Sequence, residues 1–178
     1  MTPKPKCPDE SALRRTQDQF ILEWERLSSS WGINRTMAQI HALLYVSKEP
    51  LDVNQIIQRL GISRGNASMN LRELMDWGIV RRYRRQGDRK DTYVSESEPW
   101  QMFIRVVRER KRREIDPTAD AIRECLSMLP AGDPSPEAEV IHERLTGLLE
   151  VFEIVDAVYK QAFATDEALN DLKNLVRQ

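Results

Sequence analysis

Between Asp52 and Val94 the chain carries two short apolar stripes divided by a single glycine and followed by a dense basic run, and few folds accommodate that order. Val53, Ile56, Ile57 and Leu60 recur at i, i+3, i+4 and i+7, which predicts a helix with one buried face. Asp52 is placed to cap it, and Gln55 can close the box by reaching back to the Asp52 backbone N–H. Gly61 ends this helix, because it adopts a positive φ without steric cost. Ser63 is a second N-cap, and the helix it opens runs to Trp77, where Gly78 stops it. Ala67, Leu71 and Leu74 form its inner face. Gly65, Met69, Arg72 and Asp76 lie opposite, flanked by Asn66 and Ser68. Such a pair is either an ordinary helical hairpin with a solvated face or a helix-turn-helix whose second helix enters a DNA major groove.

The next stretch bears on that choice. Ile79, Val80 and Tyr83, then a turn at Gln86-Gly87-Asp88, then Thr92, Tyr93 and Val94, predict a β-hairpin. Between Arg81 and Lys90 it carries six basic residues and one acidic residue. A basic hairpin directly after a candidate recognition helix is the winged-helix arrangement, in which the wing tip reaches phosphates or the minor groove. Ser63, Arg64, Asn66, Ser68, Met69 and Arg72 are the candidate DNA contacts on the helix. Arg85, Arg89 and Lys90 are those on the wing. Arg72 suits a guanine edge, Asn66 an adenine and Met69 a thymine methyl.

The segments Ala38–Ser47, Glu49–Val53, Leu60–Leu74 and Trp77–Arg81 resemble the MarR superfamily, and most of all its GbsR-type branch of bacterial and archaeal regulators. The resemblance covers roughly residues 15 to 115, with the helix-turn-helix as its specific part. It implies a homodimeric winged-helix transcriptional regulator whose helices at both chain ends make the dimer. It does not imply the ligand, since some relatives sense small molecules such as choline and others have no known effector.

A formal net charge of −1 argues against a nucleic-acid binder only when the chain is taken whole. Residues 1–114 carry 22 Lys and Arg against 15 Asp and Glu, a net of +7, and residues 115–178 carry 5 against 13, a net of −8. That asymmetry suggests a basic part facing DNA and an acidic part facing away. No apolar run approaches the length of a membrane span, and Met1 to Glu10 lacks a signal-peptide core, so the expected location is cytoplasmic, with no membrane partner. Cys7 and Cys125 form no metal or redox motif by spacing and read as free thiols. His41 and His142 are isolated and read as ordinary helical residues rather than metal ligands. No cofactor or metal is expected.

The fold class expected is mainly α with a small β-wing: a winged helix-turn-helix domain plus long N- and C-terminal dimerisation helices. Residues 1–10 read as a disordered arm and 11–32 as the N-terminal dimerisation helix. There Leu13, Gln17, Phe20, Trp24, Leu27 and Trp31 keep a heptad seam. Residues 33–97 form the DNA-binding domain, opened by a helix capped by Asn34 or Thr36 and burying Met37, Ile40, Leu43 and Leu44. Arg35, near its start, is either a phosphate contact or an exposed arginine.

Residues 98–178 form a linker helix and a helical dimerisation region. Trp100, Phe103, Ile104 and Val107 are its first inner face, and Arg108–Arg113 is a basic patch that either approaches the DNA backbone or pairs with the acidic half. Asp116-Pro117 is expected to interrupt the helix. Ile141, Leu145, Leu148, Phe152, Val155, Tyr159 and Ala162 set a second heptad seam, and a short helix from Thr165 to Val176 follows. Trp24, Trp31, Phe152, Tyr159 and Phe163 are either core or an aromatic box for a small-molecule effector.

These features predict a regulator, of repressor type, that binds double-stranded DNA at a palindromic operator as a homodimer. The alternatives are a winged-helix protein-interaction module and a DNA-binding protein without operator recognition. An enzyme is not expected: the sequence has no glycine-rich phosphate loop, no metal cluster and no nucleophile beside a base.

Overall fold

The computed structural model describes residues 10–84, 90–130 and 135–163. The chain divides into two compact units, residues 1–106 and 107–178, with the boundary inside one helix. In chain order the elements are α1 (Glu10–Ser30), α2 (Arg35–Tyr45), β1 (Leu51–Asp52), α3 (Val53–Leu60), α4 (Arg64–Asp76), β2 (Val80–Tyr83), β3 (Thr92–Ser95), α5 (Pro99–Arg110), a π-helical turn (Lys111–Ile115), α6 (Asp116–Met128) and α7 (Pro136–Phe163). This is the mainly helical winged-helix plan that the sequence predicts.

The first unit is built around α2, whose Met37, Ala38, Ile40, His41, Ala42, Leu43 and Leu44 are all buried. Asn34 caps it by accepting from the Met37 N–H. Ile56 of α3, Leu71 and Leu74 of α4, and Ile79 and Val80 close the same core. Helix α1 lies on α2 through Ile21, Glu25 and Ser28, which are one position off the expected seam. The middle of that seam is also spent within the chain. The Gln17 amide donates to the Val46 carbonyl at 3.2 Å, Phe20 stacks on Trp24 and Tyr45, and Trp24 lies against His41. Only the ends, Leu13, Leu27 and Trp31, remain exposed.

The turn between α3 and α4 follows from local chemistry. Both halves of the Asp52/Gln55 capping box are made, and Gly61 takes φ 66° to end α3. Ser63 caps α4 by accepting from Asn66 N–H. The far end closes with Gly78 at φ 72°, its N–H bonded to the Met75 carbonyl while the Ile79 N–H reaches Leu74. That paired closure satisfies carbonyls that would otherwise be left without donors and swings the chain into β2.

The wing is a three-stranded antiparallel sheet in the order β1-β3-β2 rather than a bare hairpin. Leu51 pairs with Tyr93 and Asp52 with Thr92, while Val80 pairs with Ser95 and Tyr83 with Thr92. A two-residue strand wedged between Pro50 and a helix cap leaves no alternation in the sequence to signal it. The expected turn at 86–88 lies outside the described residues.

Two expectations for α5 need correction. Ile104 is buried as anticipated, but Phe103 is exposed and Met102 and Val106 pack on the core in its place. Asp116-Pro117 does not interrupt the helix. The π turn widens the backbone just before Pro117, with the Asp116 N–H bonded five residues back to the Lys111 carbonyl. A wider turn absorbs the ring and the N–H that proline lacks.

In the second unit, α6 buries Ala119 and Ile122 and carries Cys125 as an exposed free thiol. Helix α7 has 28 residues and none of them is buried. Its expected seam splits in two. Leu145, Phe152, Tyr159 and Ala162 are half-buried within the unit, whereas Ile141, Leu148 and Val155 are exposed together with Val140, Val151, Ile154 and Val158. The helix expected over 165–176 and the arm at 1–9 lie outside the described residues.

Candidate nucleic-acid interface

Helix α4 divides its polar residues between holding itself in place and facing solvent. Ser63 is consumed as the cap. The Arg64 guanidinium donates to the Asn54 side-chain carbonyl on α3, which ties the first turn of α4 to the preceding helix. Asn66 is clamped twice: its amide N–H donates to the Thr36 hydroxyl at 3.1 Å, and its carbonyl oxygen accepts from Asn70 at 2.7 Å. Asn70 is itself fully buried and also donates to the Asn66 backbone carbonyl. Buried amides hold such geometry because an unpaired one is costly.

Ser68, Met69 and Arg72 share the exposed face, and Ser63 and Arg64 at the start of the helix are exposed as well. Met69 is 61 % exposed although it is a large apolar side chain in the middle of a helix. An exposed arginine, a hydroxyl and an apolar tip on successive positions of one helical face match what base edges present in a major groove.

A polar cluster that the sequence did not disclose joins α1 to α2. Glu25, nearly buried on α1, accepts from Gln39 at 2.6 Å and pairs with Arg35 at 2.5 Å. Arg35 is therefore both exposed and fixed at the start of α2, close in sequence to the Thr36 that holds Asn66. Periodicity could not reveal this, because a glutamate on a helix face normally reads as solvated.

The wing is less purely cationic than its sequence implies. Asp91 pairs with Arg82 at 3.5 Å and with Arg84 at 2.5 Å, and Lys90 reaches Asp52 at 3.5 Å. The backbone N–H groups of the helix cap, Gln55 first, hold the Asp52 carboxyl below the usual carboxylate range, with Lys90 contributing. Arg82, Arg84 and Lys90 stay exposed despite these pairs, and Arg81 is exposed too, so the wing still offers cations suited to phosphate oxygens. Arg85 and Arg89 lie outside the described residues.

The basic patch Arg108–Arg113 makes its ion pairs inside its own unit, while Arg108, Arg112 and Arg113 remain exposed. Glu109 is buried and binds Arg112 at 2.6 Å and Arg113 at 2.5 Å, and the Arg112 bond first, then Arg113, lowers its pKa. Lys111 sits between Asp116 at 2.5 Å and Asp156 at 2.8 Å and over the Tyr159 ring at 5.4 Å. Of the two readings of this patch, pairing with the acidic half holds for Lys111. Tyr159, expected in a seam between chains, is occupied here and by an Arg108 contact at 3.4 Å. None of the helices among the described residues is long and apolar enough to cross a membrane.

Comparison with known proteins agrees with this geometry. Residues 31–91, from the end of α1 to the start of β3, match the MarR family. The chain is similar to three proteins of Bacillus subtilis (strain 168). It is 25 % identical over 92 residues to the HTH-type transcriptional regulator YvaV, covering 52 % of each chain. It is 23 % identical over 118 residues to the HTH-type transcriptional repressor GbsR, covering 66 % of this chain and 65 % of that one. To the HTH-type transcriptional repressor OpcR it is 24 % identical over 92 residues, covering 52 % and 50 %. The chain thus spans half to two thirds of the length of these relatives. A solved structure of a transcriptional regulator superposes with a TM-score of 0.56 at 22 % identity, over 82 % of this chain and 99 % of that one, a likeness of fold.

Proposed function

Because the chain carries a MarR-family winged-helix domain over residues 31–91, we propose that it is a sequence-specific DNA-binding transcriptional regulator that works as a homodimer. The observation that carries this reading is the division of labour on α4. Ser63, Arg64 and Asn66 fix the helix, while Ser68, Met69 and Arg72 are presented outward from it. In this reading Arg72 makes the bidentate base contact, Met69 and Ser68 read neighbouring edges, and Arg35, Arg81, Arg84 and Lys90 set the register on phosphates. Arg85 and Arg89 extend the wing's contact.

The dimer is supported by α7. Its exposed face repeats Val140, Arg144, Gly147, Val151, Ile154 and Val158 at spacings of 4, 3, 4, 3 and 4, with open space around Gly147. That is a helix-pairing seam, and a second copy is the partner with the same pattern. A two-fold dimer places two α4 helices in successive major grooves, about 34 Å apart, on a roughly palindromic operator. Repression by occluding polymerase is the mode we assign, in keeping with the repressors named among the similar proteins. A small molecule that prefers one spacing of the two helices would control it by population shift.

Footprinting on a site enriched from random duplex DNA tests this reading. Two protected half-sites about 10 base pairs apart are expected. A single protected patch, or uniform protection, would refute the two-fold operator.

A further inference from the structure

Trp77, Gly78 and Ile79 are all that separates the end of α4 from the start of β2. The middle residue takes φ 72°, so the angle at which α4 meets the wing is set where the backbone has most freedom. A side chain from α5 holds that point. Nη1 of Arg105 donates to the Gly78 carbonyl, and Nη2 pairs with Oε2 of Glu96 at 3.2 Å.

Glu96 follows directly on β3 and is itself fixed from several sides. Its backbone N–H donates to the Ile79 carbonyl at 2.8 Å, and its Oε1 accepts from the N–H groups of Ser97 at 3.0 Å and Glu98 at 3.3 Å. The Ser95 hydroxyl donates to the same Ile79 carbonyl at 3.4 Å. One guanidinium therefore bridges the chain just after α4 and the chain just after β3. A planar fork serves two acceptors on different elements, which the compact ammonium of a lysine on its flexible stem does less well. The side chains of Arg105 and Glu96 are 32 % and 14 % exposed, so this pair is better shielded than a solvated surface ion pair.

The two elements joined here carry the two kinds of contact assigned above to DNA. Ser68, Met69 and Arg72 stand on α4, and Arg81 and Arg84 on the wing. Meeting base edges and phosphates of one duplex together requires a set angle between the elements, and setting it before binding removes an ordering cost. We propose that Arg105 is a positioning residue for DNA reading, whose guanidinium, shared between the Gly78 carbonyl and the Glu96 carboxylate, locks α4 and the wing at the angle one duplex needs. Arg105 itself touches no DNA in this role, which rests on the DNA-binding reading above.

The test uses the full chain, a duplex enriched by wild type from a random pool, and a scrambled duplex of equal length. Arg105→Gln is expected to weaken binding of the enriched duplex about tenfold, equivalent to about 1.4 kcal/mol, and to leave the scrambled duplex unchanged. Glu96→Ala should weaken it too, although loss of an anion would by charge alone tighten binding. Arg84→Gln should cost affinity in wild type and hardly any in Arg105→Gln, a coupling that independent sites lack. Without DNA, hydrogen exchange should quicken at the Ile79 and Glu96 amides, which bond the Leu74 and Ile79 carbonyls, and not at Leu71 in the core of α4. Should Arg105→Gln fail to fold, Arg105→Lys, which reaches one acceptor, must show the same pattern more weakly.

Tighter binding by Glu96→Ala would overturn the positioning role in favour of a direct phosphate contact. Additive losses with Arg84→Gln, or exchange quickened equally at Leu71, would reduce Arg105 to a general contributor to stability and overturn it as well. Absence of any duplex preference in folded wild type would sink the DNA-binding reading and this role with it. Preference in wild type that Arg105→Gln leaves intact would sink this role alone.

Discussion

Acid should destabilise this protein through His41 before its carboxylates begin to matter. The side chain is buried between Trp24 and Tyr45, and desolvation lowers its pKa from 6.5 to about 4. The unfolded chain takes up this proton first, so the stability His41 contributes is complete above its unfolded pKa and drains away as pH falls toward its folded one. The arithmetic of two such pKa values gives a loss of about 2 kcal/mol at about pH 5, growing to about 3 kcal/mol near pH 4. Against a total stability of typically 5–15 kcal/mol this is a large fraction. The lowered carboxylates of Asp52 and Glu109 lose their contributions as pH falls through and below the ordinary carboxylate range. The assay is urea denaturation at fixed protein concentration, in neutral and in mildly acidic buffer, for wild type and His41→Phe. A phenylalanine keeps the ring between Trp24 and Tyr45 and cannot titrate. Wild type should lose about 2 kcal/mol more than the variant between neutrality and about pH 5. Parallel losses in the two proteins would refute the claim that a buried neutral imidazole governs this range.

Other perturbations test other joints of the structure. Asn66→Ala strips the buried Asn70 amide of its side-chain acceptor and should cost about 1–3 kcal/mol of stability, read by the same denaturation; an unchanged midpoint would mean that the clamp is not made. Thr36→Val should leave the fold intact yet weaken specific DNA binding, measured by fluorescence anisotropy, because Asn66 loses the partner that positions it. Ile154→Glu puts a charge on the exposed face of α7 and should give monomers by sedimentation, whereas Tyr159→Phe, on the inner face, should leave the dimer intact; the opposite pattern would move the interface to the inner face. Asp91→Asn frees Arg82 and Arg84 from their ion pairs and should tighten binding to all duplex sequences and steepen its salt dependence, as one more uncompensated cation predicts.

How far the sequence could be read follows from which signals are local. The turn from Asp52 to Ser63 was legible because a capping box, a left-handed glycine and an N-cap are each specified within four residues. The limits of α4 were legible for the same reason. Features made by contacts distant along the chain were not. Asn66 is held by Thr36, 30 positions away, as well as by Asn70, and nothing in the spacing announces it. Helix α7 shows a subtler limit. Two apolar stripes run side by side at the same heptad spacing, and spacing alone does not tell that the one with Phe152 and Tyr159 is half-buried within the unit. The stripe left exposed is aliphatic and contains Gly147. Pro117 misled in the opposite direction, since a proline ends a helix only when the backbone cannot widen around it. His41, read from sequence as unremarkable, proved to be the one wholly buried imidazole, because burial depends on what α1 lays over α2.

The most direct test of operator reading by α4 is selection from a random duplex pool at near-physiological salt, run in parallel with wild type and Arg72→Ala. Wild type is expected to enrich a palindrome with half-site centres about 10 base pairs apart. The variant should relax the preference at one symmetric pair of positions by about 1–3 kcal/mol and leave the rest of the motif unchanged. Enrichment of no motif by folded protein would contradict sequence-specific recognition, and an identical motif from the variant would remove Arg72 from the reading face.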